Sequence, residues 1–409
     1  MKKYRFLYTA CSLLLLSLSL QSCLGLGSST TTNSGDFKSM GANGSTIGIN
    51  NTDKAIFKGK IYFTLNHNLY VLDGTRVPHQ LTHNLTVSDP AVSPDGKWIA
   101  FSARFANYSN ISYISVNGGP IHTVIIGNGE FYAANGDGTN NYYWCTQPTW
   151  SPDSKNILFL SDLQKQFYWS SLGGLFANSY FSDLQIFTLP IGQPPLAAKD
   201  VSKTVQAVAY ASFGDGGDRD AMYRPHHSDQ LVFTHYKYDA TGTQQIIQLF
   251  LEDPNAIANN PGVYSPVSDP AVPLTPENTN KQSMEPAFSP DGNSLAFIQR
   301  ESSTSMGLYI MPVANNVTKD SNNPTVEKAA LQPFNHAVNI LSRQYLSQPI
   351  WSPDGKQIAY LTYSNNVFDL WLANIGLTKA GKYTIVGSPV QLTSANGQLD
   401  GESRPFWST

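Results

Sequence analysis

The sequence predicts an all-β protein built from six copies of one four-stranded unit. Three observations support this prediction: a turn motif recurs along the chain, the composition favours strands and turns, and each end of the chain carries half of the motif. The 409 residues include 31 Gly and 25 Pro, and only 13% are charged, whereas long helices are rich in Ala, Glu, Lys and Leu. Aromatic residues make up 12% of the chain, which is enough to fill a large core and excludes wholesale disorder.

The motif reads Pro-x-x-Ser-Pro-Asp-Gly and is followed by a short apolar run. Ser-Pro-Asp-Gly matches a type I turn, in which Pro presets φ at the second position. The residues before the turn are expected to be extended, because proline restricts the residue that precedes it, and those after the turn alternate with the period of a strand. Each copy therefore predicts a β-hairpin. Copies lie at 89–96, 147–154, 285–292 and 348–355, with a degenerate copy at 220–227.

Further apolar segments supply the outer strands of each unit. A third strand is predicted after every hairpin, and a fourth, outermost strand can be seen in three units. The third strands are predicted at 112–116, 184–187, 247–250, 308–311 and 370–372, with a sixth at 69–72. The outermost strands are predicted at 80–82, 273–275 and 391–393.

The two ends of the chain complete the count of six. Residues 403–408 match the first half of the motif, and residues 60–63 match the second half. If the two halves share one sheet, residues 54–409 form a closed ring with no long exposed sheet edge. The sequence therefore predicts a six-bladed β-propeller, closed by pairing of the C-terminal strand with the N-terminal strands.

The repeat resembles the PD40 type of WD40-like β-propeller repeat, which is found in TolB, in tricorn protease and in the propellers of prolyl-oligopeptidase enzymes. Six blades are similar to the TolB propeller. The second prolines of successive copies lie 58 to 73 residues apart, longer than the usual repeat of about 40 residues. No segment resembles the separate N-terminal α/β domain of TolB, so the resemblance does not extend to the partners of TolB.

The N-terminus resembles that of a bacterial lipoprotein. Basic residues precede an apolar run at 6–20, which is too short for a typical membrane-spanning helix and is typical of a signal peptide. Leu20-Gln-Ser-Cys23 resembles a lipobox, whose cysteine becomes the lipidated N-terminus; the alternative is an ordinary cleavage site with an incidental cysteine. We expect 1–22 to be the signal peptide and 23–53, rich in Gly, Ser, Thr and Asn, to be a flexible tether.

Charge and motifs restrict the class of function. The net charge of −3, which becomes −6 without residues 1–22, argues against a nucleic-acid partner. The sequence contains no G-x-S-x-G, H-E-x-x-H or P-loop motif. Cys145 would be the single cysteine left beside a lipidated Cys23, and its apolar neighbours favour a buried thiol over a nucleophile. These observations predict a protein that is not an enzyme and binds no cofactor.

The expected function is that of a monomeric, lipid-anchored scaffold in the cell envelope that binds a protein or a peptide. Leu24 after the cysteine favours the outer membrane, facing the periplasm or the cell surface, if the sorting rule of Gram-negative lipoproteins applies. The alternative is a carbohydrate-binding propeller or a metal-dependent polysaccharide lyase, because some PD40-like propellers are oligogalacturonate lyases. A lyase of that kind would need a histidine-lined metal centre in the channel.

Two sets of residues are candidates for ligand binding. The first set is the polar residue before the first proline of each motif copy, which repetition places around the channel mouth; the alternative is that these side chains cap strands or link blades. The second set is aromatic and lies in two insertions, where rings suit protein or sugar contacts or pack over the blades. The channel set is Asp89, Gln147, Asp220, Glu285, Gln348 and Arg404, and the aromatic set is Tyr142, Tyr143, Trp144, Tyr168 and Trp169.

Three segments have weak features of metal sites, and we interpret all three as turns. His226 and His227 form an adjacent pair in the degenerate hairpin. Residues 135–139 have the alternating oxygens of a calcium loop but lack its glycine and its final carboxylate. Residues 215–220 combine Asp and Gly, which are also the commonest turn residues. No metal is therefore expected.

Overall fold

A computed structural model confirms the predicted six-bladed β-propeller. The inner strands of the six blades contact one another in sequence, and the last contacts the first, so the ring is closed. Among the described residues, no helix is long and apolar enough to span a membrane. The structure describes residues 37–42, 45–128, 142–163, 166–168, 179–181, 183–192, 194–195, 206–209, 215–259, 271–278, 280–314 and 324–409.

Each blade is an antiparallel sheet whose strands follow one another from the channel outwards. Blade 1 contains β30 (Phe406–Ser408), β3 (Lys60–Leu65), β4 (Asn68–Leu72) and β5 (Pro78–Gln80). Blade 2 contains β6 (Thr86–Val92), β7 (Trp98–Arg104), β8 (Ser109–Ser115) and β9 (His122–Ile125). Blade 3 contains β10 (Cys145–Trp150), β11 (Asn156–Ser161), β14 (Gln185–Pro190) and β15 (Gln206–Ala209).

The other three blades follow the same order. Blade 4 contains β16 (Asp218–Tyr223), β17 (Leu231–Tyr238), β18 (Gln245–Glu252) and β19 (Val272–Pro273). Blade 5 contains β20 (Ser283–Phe288), β21 (Ser294–Ser302), β22 (Ser305–Pro312) and β23 (Val338–Arg343). Blade 6 contains β24 (Leu346–Trp351), β25 (Gln357–Ser364) and β26 (Val367–Leu377), which pairs with both β27 (Tyr383–Ile385) and β28 (Val390–Gln391).

Short elements lie between and beside the blades. The strands β12 (Gln166–Tyr168) and β13 (Ser179–Phe181) form a separate hairpin after β11. The helices α1 (Pro254–Asn259) and α2 (Pro324–Leu331) follow β18 and β22, and 3₁₀ turns span Asp53–Ala55 and Gln332–His336.

The motif forms the predicted hairpin turn. In the first copy, the Gly96 N–H donates to the Ser93 carbonyl over 2.8 Å, and Gly96 has a φ of +71°. The Ser93 hydroxyl donates to Asp95 Oδ1 over 2.6 Å and accepts from the Trp98 N–H over 3.0 Å. This hydroxyl lowers the pKa of Asp95. The same hydroxyl-to-carboxylate bond recurs at the turns that begin with Ser151, Ser289 and Ser352.

The degenerate copy keeps the hairpin with different residues. The His227 N–H donates to the Arg224 carbonyl over 3.0 Å, but the left-handed residue is now His226, with a φ of +65°. Arg224 replaces the serine and is fully buried. Its Nε donates to the carbonyl of Gly292, in the turn of blade 5, over 2.6 Å. The substitution therefore exchanges a bond within the turn for a bond between two blades.

The expectation of extended residues before the turn fails at one position of the inner strand. In five blades, the residue before the first motif proline, or its equivalent, has a left-handed φ between +47° and +56°. The pairing register with the second strand shifts at the same place, which is the signature of a β-bulge. The strand is otherwise extended on both sides. These left-handed residues are Asp89, Gln147, Asp220, Glu285 and Gln348.

The ring closes as predicted, by pairing of β30 with β3. Ile61 lies opposite Trp407 in this pairing. The Trp407 indole N–H donates to the Lys58 carbonyl over 2.7 Å, and its ring meets Phe57 edge to face. Gly59, with a φ of +84°, lies directly against the Ser408 carbonyl, where a Cβ atom would collide with it.

A further hairpin supports this closure from within the segment predicted as a tether. The strands β1 (Phe37–Ala42) and β2 (Ser45–Asn50) pair with each other, and β2 pairs with β29 (Thr393–Ser394). Ile47 and Ile49 are buried in the cluster that joins blades 1 and 6. The packed body therefore begins before residue 54, because two alternating isoleucines give this polar segment a buried strand face.

We expect Gly59→Ala to destabilise the protein much more than Gly118→Ala. Both glycines have a φ near +80°, and no atom lies within 4 Å of a Cβ built at Gly118. The control should therefore lose only the cost of a left-handed alanine, about 1 kcal/mol. Gly59→Ala adds a collision with β30, for a total loss of about 2 to 4 kcal/mol. Chemical denaturation measures both losses, and equal values would show that β30 does not pack closely against β3.

Candidate functional site

In the described part of the chain, two cavities of the central channel lie on either side of the bulged residues. Residues that follow the bulge in the inner strands line a cavity of about 840 Å³ on the side of the motif turns, called the turn-face cavity. Residues that precede the bulge line a cavity of about 770 Å³ on the other side, called the opposite cavity. Both volumes lie in the range of small-ligand sites. The bulged residues form the floor between the two cavities.

The wall of the turn-face cavity is mostly apolar and repeats around the ring. The second motif proline of all five copies lines it, together with aromatic side chains of the inner strands. Two tryptophans of this wall also link blades: Trp150 donates to the Ala91 carbonyl over 2.9 Å, and Trp351 donates to the Ala287 carbonyl over 3.1 Å. The prolines are Pro94, Pro152, Pro225, Pro290 and Pro353.

The six predicted channel residues come together at the floor. Asp89, Asp220, Gln348 and Arg404 are buried, and Gln147 and Glu285 are half-buried. Asp89 and Gln147 line the opposite cavity, whereas Glu285, Gln348 and Arg404 line the turn-face cavity. These six residues thus form one ring around the channel, between the two cavities. We call it the floor ring.

The side chains of the floor ring bond to the backbone of neighbouring blades. Asp89 Oδ1 accepts from the Arg404 N–H over 3.0 Å. Gln147 Oε1 accepts from the Asp220 N–H over 2.7 Å, and its Nε2 donates to Asp220 Oδ1 over 3.1 Å. Glu285 Oε2 accepts from the Gln348 N–H over 2.6 Å. The linking of blades, which was the alternative to ligand binding, is therefore present in this geometry.

A threonine completes the link between blades 4 and 5. The Thr234 hydroxyl donates to Asp220 Oδ2 over 3.2 Å and accepts from the Glu285 N–H over 3.1 Å. On the other side of the ring, the Asp89 N–H donates to Ser403 Oγ over 2.9 Å. Hydroxyl groups thus extend the reach of the floor ring where one side chain is too short.

The floor ring contains three carboxyl groups and one guanidinium. Burial raises the pKa of Asp89 and of Asp220. Burial, and next the negative charge of Asp220, raise the pKa of Glu285 from its usual 4.5 to about 8. Arg404 Nη1 is buried and has no hydrogen-bond partner in the described part of the chain. The channel axis therefore combines three acids whose pKa is raised with a cation whose Nη1 lacks a hydrogen-bond partner among the described residues.

The opposite cavity has a polar and charged wall. Arg104 lies over the ring of Trp144, with its guanidinium carbon 5.4 Å from the ring centre, and both residues line the cavity. Arg219 also lines it and lies 5.6 Å from the ring centre of Tyr236. Sequence reasoning missed both arginines, because neither lies in the repeated motif and each depends on an aromatic residue that is distant in sequence.

The structure separates the aromatic candidates from one another. Tyr142 is exposed and stacks on Tyr108, Tyr143 packs against the core between blades 2 and 3, and Trp144 reaches the opposite cavity. Tyr168 lies in β12, where the structure gives only its backbone. Trp169 lies outside the described residues.

The histidines do not converge on a metal centre in the described ranges. No group of three or more His, Cys, Asp or Glu side chains there is placed to hold a metal ion. His235 bonds to the buried Asp218 over 2.8 Å, and His67 lies 3.2 Å from Asp400. The calcium-like segment 135–139 lies outside the described residues.

Solved structures share the fold at low sequence identity. TolB from Acinetobacter baumannii aligns with a TM-score of 0.50 and 18% identity, over 85% of this chain and 66% of that chain. Kuenenia stuttgartiensis hydrazine synthase aligns with a TM-score of 0.50 and 11% identity, over 84% and 48%. An oligogalacturonate lyase in complex with manganese aligns with a TM-score of 0.43 and 13% identity, over 85% and 82%.

The likenesses to TolB and to hydrazine synthase show the propeller fold and nothing finer. The chain spans just under two thirds of the TolB chain and about half of the hydrazine synthase chain. No protein-family model and no curated protein matches the sequence.

We expect Glu285→Gln to weaken the pH dependence of stability. The folded protein keeps the Glu285 proton up to pH of about 8, whereas an unfolded chain loses it near 4.5. The free energy of unfolding should therefore fall as the pH rises from 4.5 to 8. Gln still accepts the Gln348 N–H but carries no charge, so the variant should gain about 2 to 4 kcal/mol relative to wild type at pH 8.5. Denaturant titrations from pH 4.5 to 8.5 measure this gain.

Glu327→Gln is the matched control, because Glu327 is exposed on α2. It should leave the pH profile unchanged. A Glu285→Gln profile that parallels wild type throughout would show that Glu285 is ionised in the folded protein at neutral pH.

Proposed function

We propose that the protein is a monomeric, lipid-anchored propeller of the bacterial cell envelope that binds an extended segment of another polypeptide in the turn-face cavity. The observation that carries this proposal is the cavity of about 840 Å³, with a wall of prolines and aromatic rings above a polar floor. Apolar walls with a few convergent polar groups are the usual form of a binding site.

The chemistry of the wall favours a polypeptide ligand. Aromatic grooves bind extended, proline-rich segments, whose conformation is ordered before binding. Phe288 and Phe406 line the cavity beside the five motif prolines, so the wall offers apolar contacts from several directions. Arg404 and Gln348 at the floor supply polar groups for the end of a peptide or for its backbone. A ligand of this shape would contact several blades at once.

Two observations support binding without catalysis. The sequence carries neither the hydrolase motifs G-x-S-x-G and H-E-x-x-H nor a P-loop. Glu285 and Asp220, two acids at the channel axis whose pKa burial raises, are bonded to the backbone and side chains of adjacent blades, which suits a structural role. Carbohydrate binding is the second candidate function. It rests on the parallel stack of Phe105, Tyr108 and Tyr142 at the end of blade 2. Aromatic rings of this kind suit contacts with sugars.

The lipid anchor rests on the N-terminal sequence. Leu20-Gln-Ser-Cys23 follows an apolar run at 6–20, and Cys23 lies outside the described residues. The packed body begins with β1, so a lipid on Cys23 would leave only 24–36 between the membrane and the propeller. We propose that this segment links the propeller to the membrane.

Bulk at the mouth of the turn-face cavity should block the polypeptide partner. Ser228 is exposed and lines the cavity, so Ser228→Trp should reduce capture of the partner at least about tenfold while leaving the fold intact. The measurement is affinity capture from detergent-solubilised envelopes, quantified by mass spectrometry. Lys155→Trp is the control, because Lys155 is exposed on the same face and does not line the cavity. A partner retained equally by both variants would exclude this cavity as its site.

Cys23→Ser should abolish lipidation. In a Gram-negative host grown with radiolabelled palmitate, the wild-type protein should be labelled and should sediment with membranes, whereas the variant should be unlabelled. Cys11→Ser, in the predicted signal peptide, should behave as wild type. Equal labelling of the Cys23 variant would refute the lipobox.

A further inference from the structure

The opposite cavity holds two cations that are positioned by aromatic rings. Arg104 ends β7 in blade 2 and lies over Trp144, and Arg219 lies over Tyr236 in blade 4. Arg219 Nη1 also donates to the Asp218 carbonyl over 2.6 Å. A guanidinium that rests on a ring is held in one orientation while its hydrogen-bond donors stay available. Both donor groups line one cavity of about 770 Å³.

The nearest acids to Arg219 are already engaged by other groups. Asp218 bonds to His235 over 2.8 Å. Asp220 accepts from Gln147 and from Thr234. Within the described part of the chain, neither Arg104 nor Arg219 has a carboxylate within ion-pair distance. The two guanidinium groups are therefore available to an anionic ligand.

An acid without a partner lines the same cavity from blade 1. Glu402 precedes β30, is exposed, and forms no ion pair or hydrogen bond in the described ranges. The nearby Asp400 is bonded to His67, whose backbone N–H donates to Asp400 Oδ2 over 2.8 Å. Blade 1 faces blade 4 across a six-bladed ring, so Glu402 and Arg219 stand on opposite sides of the channel. Arg104, on blade 2, lies on the blade next to that of Glu402. Glu402 and the two guanidinium groups thus line one cavity without forming an ion pair with one another in the described ranges.

Trp144 gives the cavity an apolar surface beside Arg104. The backbone N–H of Trp144 donates to Asp162 Oδ1 over 2.8 Å, which fixes the backbone at this point. The indole N–H of Trp144 has no acceptor among the described residues, unlike the indole N–H groups of Trp150, Trp351 and Trp407. It can donate to a ligand in the cavity.

From these features we propose that the opposite cavity binds a small zwitterion, namely a free amino acid or a short unblocked peptide. Its carboxylate lies between Arg104 and Arg219, whose planar forks match a carboxylate, and its ammonium lies at Glu402. An apolar or aromatic side chain packs on Trp144. This site is on the other side of the floor ring from the proposed polypeptide site, so each proposal can fail without the other.

Isothermal titration of the full chain with the dipeptide Gly-Tyr tests this proposal. The unblocked dipeptide should bind, its C-terminal amide should bind at least about tenfold more weakly, and N-acetyl-Gly-Tyr should also bind more weakly, because each blocked form loses one charge-assisted contact. Binding of both blocked forms with the affinity of the free dipeptide, or no binding of the free dipeptide at millimolar concentration, would overturn the proposal.

Variants test which residues contact the carboxylate and the ammonium of the dipeptide. Arg104→Gln and Arg219→Gln should each weaken Gly-Tyr about five- to tenfold. Glu402→Gln should weaken Gly-Tyr but leave N-acetyl-Gly-Tyr unchanged, since that ligand has no ammonium. Arg300→Gln is the control, because Arg300 is exposed on blade 5 and does not line the cavity. Equal affinity in all four variants would place the dipeptide elsewhere. Unchanged melting temperatures without ligand would show that the variants are folded.

Discussion

The structure depends on one recurrent bond, in which a polar side chain at the bulge of an inner strand accepts the backbone N–H of a neighbouring blade. Inner strands have no further strand on the channel side, so their amide groups would otherwise be buried without partners. A left-handed residue that is not glycine costs on the order of 1 to 3 kcal/mol. Asp89, Gln147 and Glu285 each adopt that conformation, and each accepts the N–H of an adjacent ring position. The bond between blades offsets the local strain.

The same constraint gives the channel its electrostatics. A polar side chain lies at each of the five bulges, and burial raises the pKa of the three that are acids. Arg404 is the one cation of the floor ring and lies in the segment that closes blade 1. A buried charge without a direct partner lowers the free energy of unfolding. The floor ring therefore favours one arrangement of the blades at some expense of stability. The floor also divides the channel, which is why the turn-face cavity and the opposite cavity are separate.

The two cavities differ because only one of them is built from the repeat. The motif turns lie at one end of the channel, and repetition gives that end a uniform wall of prolines and aromatic rings. The other end is built from hairpin tips and insertions that differ between blades. Arg104, Arg219 and Glu402 each occur once, in different sequence contexts. The repeated face suits an extended apolar ligand that contacts many blades, and the irregular face suits a ligand that is recognised by a few charges.

The sequence by itself determined the strands, the motif turns, the number of blades and the closure of the ring, because turn preferences and strand periodicity act over a few residues. It also placed the six floor residues at equivalent positions. Tertiary structure alone decided that five of these residues are left-handed and that the ring is bonded between blades. It also decided that Ile47 and Ile49 carry a hairpin onto the closure, and that Arg104 and Arg219 share a cavity. Those features depend on how separate blades approach the common axis, and contacts between residues so far apart in sequence leave no local pattern.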